Sequence, residues 1–213
     1  MTGGLTWTGQ LGEPTRLLLL RHGATELSAQ RRYSGRSDPP LTEHGRAQAA
    51  DAARHLAGHP AIAAVVSSPL RRARQTAEPI AAELGVPLTV HDGLIETDFG
   101  AWDGLTFAEA AARDPELHTR WLTDPTITPP GGESFDAVAR RVAAAGDELV
   151  AAHRAAVVLL VSHVTPIKLL LRDALDSGPA FLHRLHLDLG SLSVVDRYPD
   201  GGVSVRMVNA PTS

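Results

Sequence analysis

The chain has 213 residues, 43% of them hydrophobic, with a formal net charge of -4 and no cysteine. That length suits one domain with a substantial core, and the lack of cysteine excludes disulfides and thiolate chemistry and fits a cytoplasmic protein. The acidic balance, with only four Phe, two Tyr and three Trp, argues against nucleic-acid or membrane binding.

Met1 to Pro14 is Gly/Thr-rich and aperiodic, so it reads as a flexible tail; it has neither the basic start nor the apolar core of an export signal. No stretch approaches the roughly 18 apolar residues of a membrane span. From Thr15 the chain alternates strand and helix patterns. Thr15–Leu20 is a strand whose Leu17–Leu20 run is wholly apolar, and Thr42 caps a helix running to about Ala57. Ile62–Val66 predicts a second strand, Pro69 to Leu84 a helix, and Pro87–His91 a short strand. Thr106 with Glu109 three residues on has capping-box spacing. Ser134 caps a long helix with Val138, Val142 and Leu149 on one face. Val157–Val161 predicts another buried strand, with Pro166 in the first turn of the helix after it. Leu185, Leu187 and Leu189 alternate with polar residues and predict a half-exposed strand, its histidines His183 and His186 facing solvent. The turn Tyr198 to Gly202 leads to a last strand, Val203–Val208. These elements predict an α/β fold: a three-layer sandwich with a mostly parallel central sheet, helices on both faces, and an antiparallel edge from the final strand pair. An exposed edge there leaves room for a homodimer.

Three strand ends carry reactive groups. The first delivers Arg21 and His22, the second runs into Ser67-Ser68-Pro69-Leu70-Arg71-Arg72, and the fourth into Ser162-His163. Ligands of open α/β sheets bind beyond the carboxyl ends of the strands, and Gly23 lets backbone come close to such a ligand. An isolated arginine is ordinarily a solvated side chain and an isolated histidine a structural one. Neighbouring strands would instead gather two arginines and two histidines over one crevice. Guanidinium forks match phosphate oxygens, and neutral histidine can attack phosphorus to form a covalent intermediate. A metal site would need carboxylate or further imidazole ligands, and nearby arginines would repel the cation; neither metal nor cofactor is expected. Leu94 to Gly104 places acids and glycines between the apolar anchors Phe99 and Trp102 in a loop. Asp98 or Asp103 would cap local backbone there, and Glu96 is the candidate acid for a departing oxygen.

In this order the pieces resemble the histidine phosphatase superfamily, also called phosphoglycerate-mutase-like, over nearly the whole chain from Thr15. Arg21-His22-Gly23-Ala24-Thr25 looks like the signature Arg-His-Gly-x-Thr, and Leu41-Thr42-Glu43-His44-Gly45 like the family's Leu-Thr-x-x-Gly helix start. Leu70-Arg71-Arg72-Ala73-Arg74-Gln75-Thr76 resembles the second arginine motif and selects Arg72 over Arg71, while Val161-Ser162-His163 resembles the second histidine motif. The resemblance implies a histidine phosphatase domain over 15–213. In it His22 is the phosphorylated nucleophile, Arg21, Arg72 and His163 form the phosphate pocket, and Glu96 is the proton donor and later the base. Thr25, Ser28, Ser34 and Gly35 would also line the pocket, with Arg36 at its rim. The family often has Asn and Gln where this chain has Ser28 and Ser34, which implies a shifted affinity or substrate preference with chemistry retained.

Glu96 to Gly104 and Pro130-Gly131-Gly132-Glu133-Ser134 look like the alpha-ribazole phosphatase and acid phosphatase branch. The segments Pro14 to Ser37 and Leu94 to Ser134 are also similar to the phosphatase half of actinobacterial ribonuclease H–acid phosphatase fusions. Such a parent makes Met1 to Pro14 a linker remnant. The expected function is a metal-independent phosphomonoesterase acting on a small phosphorylated metabolite. The alternatives are a phosphoglycerate-mutase-type phosphotransferase, and a phospho-ligand binding module without chemistry. The identity of the ester is not legible. Trp121 reads equally as core or as substrate platform.

Overall fold

The computed structural model describes residues 10–58 and 61–212, so most of the expected tail lies outside the described residues. At its end, the Leu11 amide donates to Asp200 (2.9 Å). In chain order the elements are β1 Thr15–Arg21, α1 Glu26–Ala29, α2 Glu43–Ala57, β2 Ile62–Ser67, α3 Arg71–Leu84 and β3 Leu88–Val90. There follow α4 Phe107–Arg113, α5 Pro115–Trp121, α6 Phe135–Ala152, β4 Val157–Ser162, α7 Val164–Ala174, α8 Phe181–Arg184, β5 Leu192–Arg197 and β6 Val203–Ala210. Two single 3-10 turns, Asp92–Leu94 and Gly100–Trp102, interrupt the loop between β3 and α4.

The strands form one sheet in the order β3-β2-β4-β1-β5-β6. The first four are parallel, and β5 and β6 add the antiparallel edge. Because side chains alternate across a strand, β1 feeds two cores. Leu17 and Leu19 join Val158, Leu160, Val142 and Ile167 under α6 and α7. Leu18 and Leu20 join Leu159, Val161, Leu56 and Ile80 under α2 and α3. Leu19 and Leu20 are wholly buried, each such side chain contributing about 2 kcal/mol from apolar burial. The three-layer sandwich is therefore a consequence of one uninterrupted leucine run covered on both faces.

Register decides where the chemistry falls. Arg21 pairs with Ser162 across β1 and β4, and Ser67 with Val161 across β2 and β4. The three strands end level. The ladder continues one residue further through His22 N–H to the Ser162 carbonyl (3.0 Å) and Ser68 N–H to the Val161 carbonyl (2.9 Å).

The predicted strand at 185–189 is not one. Leu187 is buried, but its carbonyl accepts from Arg21 (2.5 Å), the Leu189 carbonyl accepts from Gln48 (3.1 Å), and the Asp188 amide donates to Asn209 (2.6 Å). Side chains, not a neighbouring strand, satisfy this backbone. His183 lies on α8, and His186 follows it in the same irregular segment. The strand that pairs β6 to β1 is instead β5, whose Ser193 and Asp196 are as buried as its valines. Asp196 takes a bidentate pair from Arg16 (2.7 and 2.8 Å), and Ser193 accepts from the Asn209 amide (3.1 Å). A strand with buried, partnered polar residues shows no polar-out alternation.

Gly23 also differs from expectation. A Cβ there would stand 2.4 Å from the Gly45 carbonyl oxygen, and one on Gly45 would stand 2.1 Å from that of Ala24. The two glycines exist so that the turn after β1 and the first turn of α2 can touch. Thr42 completes that junction, its hydroxyl accepting from the Gly45 amide (3.0 Å) while it donates to the Ala24 carbonyl (3.2 Å).

Candidate active site

His22 and His163 stand with ring centroids 5.0 Å apart, both buried. The Nδ1 of His22 lies 2.7 Å from the Gly23 carbonyl oxygen. A carbonyl only accepts, so Nδ1 carries the proton and Nε2 of the neutral ring keeps its lone pair. Burial, then the charges of Arg72 and Arg21, hold the His22 pKa well below its ordinary 6.5. Burial, Arg72 and His22 do the same to His163. Both rings are neutral at physiological pH.

Arg72, the second residue of α3, is only 1% exposed. Its Nη1 donates to the Ser37 carbonyl (2.8 Å), its Nη2 to those of Ser34 (2.9 Å) and Gly35 (3.1 Å), and its Nε to Nδ1 of His163 (3.2 Å). The last bond fixes the His163 tautomer: Nδ1 accepts, so Nε2 bears the hydrogen, 2.7 Å from the Ser68 hydroxyl. Burial lowers the pKa of Arg21 to about 10, which leaves it charged at neutral pH. Its Nη1 donates to the Leu187 carbonyl, whereas its buried Nε has no partner among the described residues. Glu96, 3% exposed, accepts from the Thr97 amide (2.7 Å) and weakly from the Thr165 amide (3.4 Å) in the first turn of α7. The favourable end of the helix dipole thus faces this carboxylate. Its charge reaches both Arg21 and Arg72.

So the structure gathers Arg21, His22, Arg72, Glu96 and His163, and it gives the other predicted pocket residues different hydrogen-bond roles. Thr25 and Ser28 form the capping box of α1. The Ser28 hydroxyl donates to the Thr25 carbonyl (2.9 Å) and accepts from the Thr25 amide (2.8 Å), while the Thr25 hydroxyl accepts from the Ser28 amide. The one hydroxyl hydrogen of Ser28 is therefore already placed. Gly35 donates its amide to Asp103 and lends its carbonyl to Arg72; a Cβ there would meet the Thr97 carbonyl at 2.4 Å. It supports Arg72. Ser34 differs, since its buried hydroxyl has no partner. Arg36 pairs with Glu133 (3.0 Å), and Arg71 is exposed on the outer side of α3.

Ser68, which braces His163, and Thr76, which closes the second arginine motif and whose hydroxyl accepts from the Gly23 amide (3.1 Å), were given no site role by the sequence. Lys168 was missed as well. Its Nζ donates to the Leu182 carbonyl (2.7 Å), burial lowers its pKa, and it lies within electrostatic reach of Arg21 and Glu96. Trp121 belongs to the core, stacked with Phe135 (4.7 Å). With Phe135 and Leu182 it lines a cavity of about 250 Å³. Among the described residues, no group of three or more His, Cys, Asp or Glu side chains is placed to hold a metal ion, and no helix is long and apolar enough to cross a membrane.

Parallel strand ends bearing two buried histidines, the buried Arg72 and the partly buried Arg21 define an α/β protein with its cationic groups gathered in one place. The chain belongs to the histidine phosphatase superfamily (branch 1), whose family profile matches residues 17–210. It is 63% identical over 203 residues to Bifunctional protein Rv2228c of Mycobacterium tuberculosis, covering 95% of this chain but 56% of that protein. The chain thus spans about half the length of such relatives. It is 33% identical over 196 residues to the adenosylcobalamin/alpha-ribazole phosphatase of Salmonella typhimurium, covering 92% and 96% of the two chains. Mycobacterial glucosyl-3-phosphoglycerate phosphatase in complex with VO3 superposes with a TM-score of 0.81 at 33% identity, covering 92% of this chain and 99% of that one.

Proposed function

We propose that the chain hydrolyses small phosphate monoesters in two steps through a phosphohistidine on His22, without a metal. The observation that carries this is the locked imidazole: Nδ1–H on the Gly23 carbonyl leaves a free Nε2 lone pair in a ring kept neutral by burial and two guanidiniums. The phosphoryl group sits among Arg21, Arg72 and His163. The unpartnered Arg21 Nε and Ser34 hydroxyl are donors in want of an acceptor. Nε2 attacks phosphorus, the ester P–O bond breaks, and Glu96 protonates the departing alkoxide. Water then attacks the phosphohistidine as the Glu96 carboxylate takes its proton, releasing phosphate and neutral imidazole. Fixed guanidiniums stabilise the charge that develops on the equatorial oxygens. The relatives named as phosphatases of small phosphorylated compounds support hydrolysis over transfer.

Rapid quenching into alkali after mixing with a ³²P-labelled ester, in the presence of a chelator, tests this. The expected result is label bound to protein that survives alkali, is lost in acid, and is absent from His22→Ala. Turnover by His22→Ala at the parent rate sinks the mechanism.

A further inference from the structure

We propose that Arg141, oriented by Glu133, is a positioning residue that sets the pose of Glu96 and thereby the enzyme's capacity to expel poor leaving groups. The inference rests on the assignment of Glu96 as the acid. Arg141 lies on α6, about two helical turns from its start, and its hydrogen bonds go to none of Arg21, His22, Arg72 or His163, although its charge reaches His163. It places all five guanidinium hydrogens. Nη1 donates to the carbonyls of Gly93 (3.1 Å) and Ile95 (2.7 Å), Nη2 to that of Glu96 itself (3.0 Å), and Nε and Nη2 form a fork on the two Glu133 oxygens (3.0 Å each). Three of the four backbone carbonyls from Gly93 to Glu96 thus converge on one side chain, and a planar fork fixes direction as well as distance.

Glu133 closes the arrangement from the other side. Besides Arg141 it accepts from the Asp98 amide (3.0 Å) and from Arg36 (3.0 Å), and its own amide donates to the Asp98 carbonyl (2.8 Å). Burial pushes its carboxyl up, yet these partners bring it below the usual range. Gly132 makes the approach feasible, since a Cβ there would stand 2.4 Å from the Asp98 carbonyl oxygen. The segment Pro130-Gly131-Gly132-Glu133-Ser134 therefore has a task. It docks α6 against the loop carrying the acid, and residues 93–98 are gripped from both ends around Glu96.

By contrast, among the described residues the carboxyl group of Glu96 has two amides as hydrogen-bond partners, one of them distant at 3.4 Å. Its reach towards a leaving oxygen is consequently set by backbone, and Arg141 holds that backbone. Misplacing an acid by about 1 Å can cost on the order of 100-fold, but only for substrates that need protonation.

The test compares kcat/KM for p-nitrophenyl phosphate, whose leaving group departs without a proton, with that for an alkyl phosphate such as glycerol phosphate. Parent, Arg141→Lys, Glu133→Gln and Glu96→Gln are measured, each with its thermal melt. Glu96→Gln is expected to lower the alkyl-to-aryl ratio about 100-fold, within the usual range for general acid catalysis. Glu133→Gln, which keeps the side-chain shape, and Arg141→Lys, which keeps the charge, are expected to lower it about tenfold, an intermediate loss on the same scale. A collapsed ratio in Glu96→Gln with a parental ratio in both other variants overturns the positioning role and leaves the acid assignment standing. A parental ratio in Glu96→Gln overturns both. Should Arg141→Lys fold poorly, Glu133→Gln alone decides, because general loss of structure lowers both substrates alike.

Discussion

The two buried histidines make the fold's stability fall with pH in a way that can be apportioned residue by residue. His22 and His163 are held well below 6.5 in the folded state, while in the unfolded chain each titrates near the ordinary value. The unfolded state therefore binds protons first, and stability is lost as pH drops through about 6.5. Between about pH 7.5 and about pH 5.5 the loss is about 1.4 kcal/mol for each histidine that remains neutral when folded. The pair together accounts for about 2.7 kcal/mol, a sizeable part of a typical 5–15 kcal/mol. Urea unfolding of the parent and of His163→Gln at both pH values isolates one share. Glutamine can still accept from Arg72 and donate to Ser68, and contributions from the other histidines cancel in the comparison. The variant is expected to lose about 1.4 kcal/mol less than the parent over the interval, whatever its absolute stability. An equal loss in both proteins refutes the claim that His163 is folded in its neutral form.

Ser34 and Ser28 should separate cleanly by assay. Ser34→Ala removes an unpartnered hydroxyl at the pocket and is expected to raise the inhibition constant of inorganic phosphate about tenfold, the equivalent of one hydrogen bond of about 1.4 kcal/mol. Ser28→Ala breaks the capping box and should instead lower unfolding free energy by about 1 kcal/mol with that constant unmoved. Gly45→Ala pushes a methyl to within 2.1 Å of a backbone oxygen, where neither side can yield without moving β1's turn or α2. A loss of about 3 kcal/mol in chemical denaturation is expected, at the upper end for overpacking.

The parts of the fold that were legible in the sequence are those with one physical cause. The leucine run of β1 had to be a doubly covered parallel strand, Thr106 with Glu109 and Ser134 had to be caps, and strands ending in Arg21-His22 and Ser162-His163 had to meet if adjacent. Where two causes compete, the sequence misleads. Gly23 reads as ligand access but answers to Gly45, and Leu185 to Leu189 alternates like a strand while its backbone is held by Arg21 and Gln48. β5 hides because Asp196 and Ser193 are buried against distant partners, Arg16 and Asn209, which no local pattern reveals. Arg141 was illegible for a related reason. Its four partners are three carbonyls 45 to 48 residues away and one carboxylate eight away; carbonyls have no residue type to recognise.

How a chain of net charge -4 builds an anion site follows from what holds its cations. Carbonyl oxygens and a neutral imidazole hold Arg72, and a carbonyl holds Arg21. Carboxylate partners would fix these groups equally well but cancel the charge a phosphate needs. Carbonyl dipoles orient the guanidiniums, while the carboxylates that reach them, Glu96 for both, Asp188 for Arg21, and Asp38 and Asp103 for Arg72, act through space without pairing directly, at a cost in desolvation. A bound dianion should therefore relieve strain that the free protein carries. Inorganic phosphate at 100 times its dissociation constant is expected to add about 2.7 kcal/mol to unfolding, raising the melting temperature by about 5–10 °C for a protein of this size. Calorimetry against chloride at matched ionic strength reads the effect, with Arg72→Ala as the second arm. The reasoning fails if chloride gives the same rise, or if the Arg72→Ala protein is stabilised by phosphate as much as the parent.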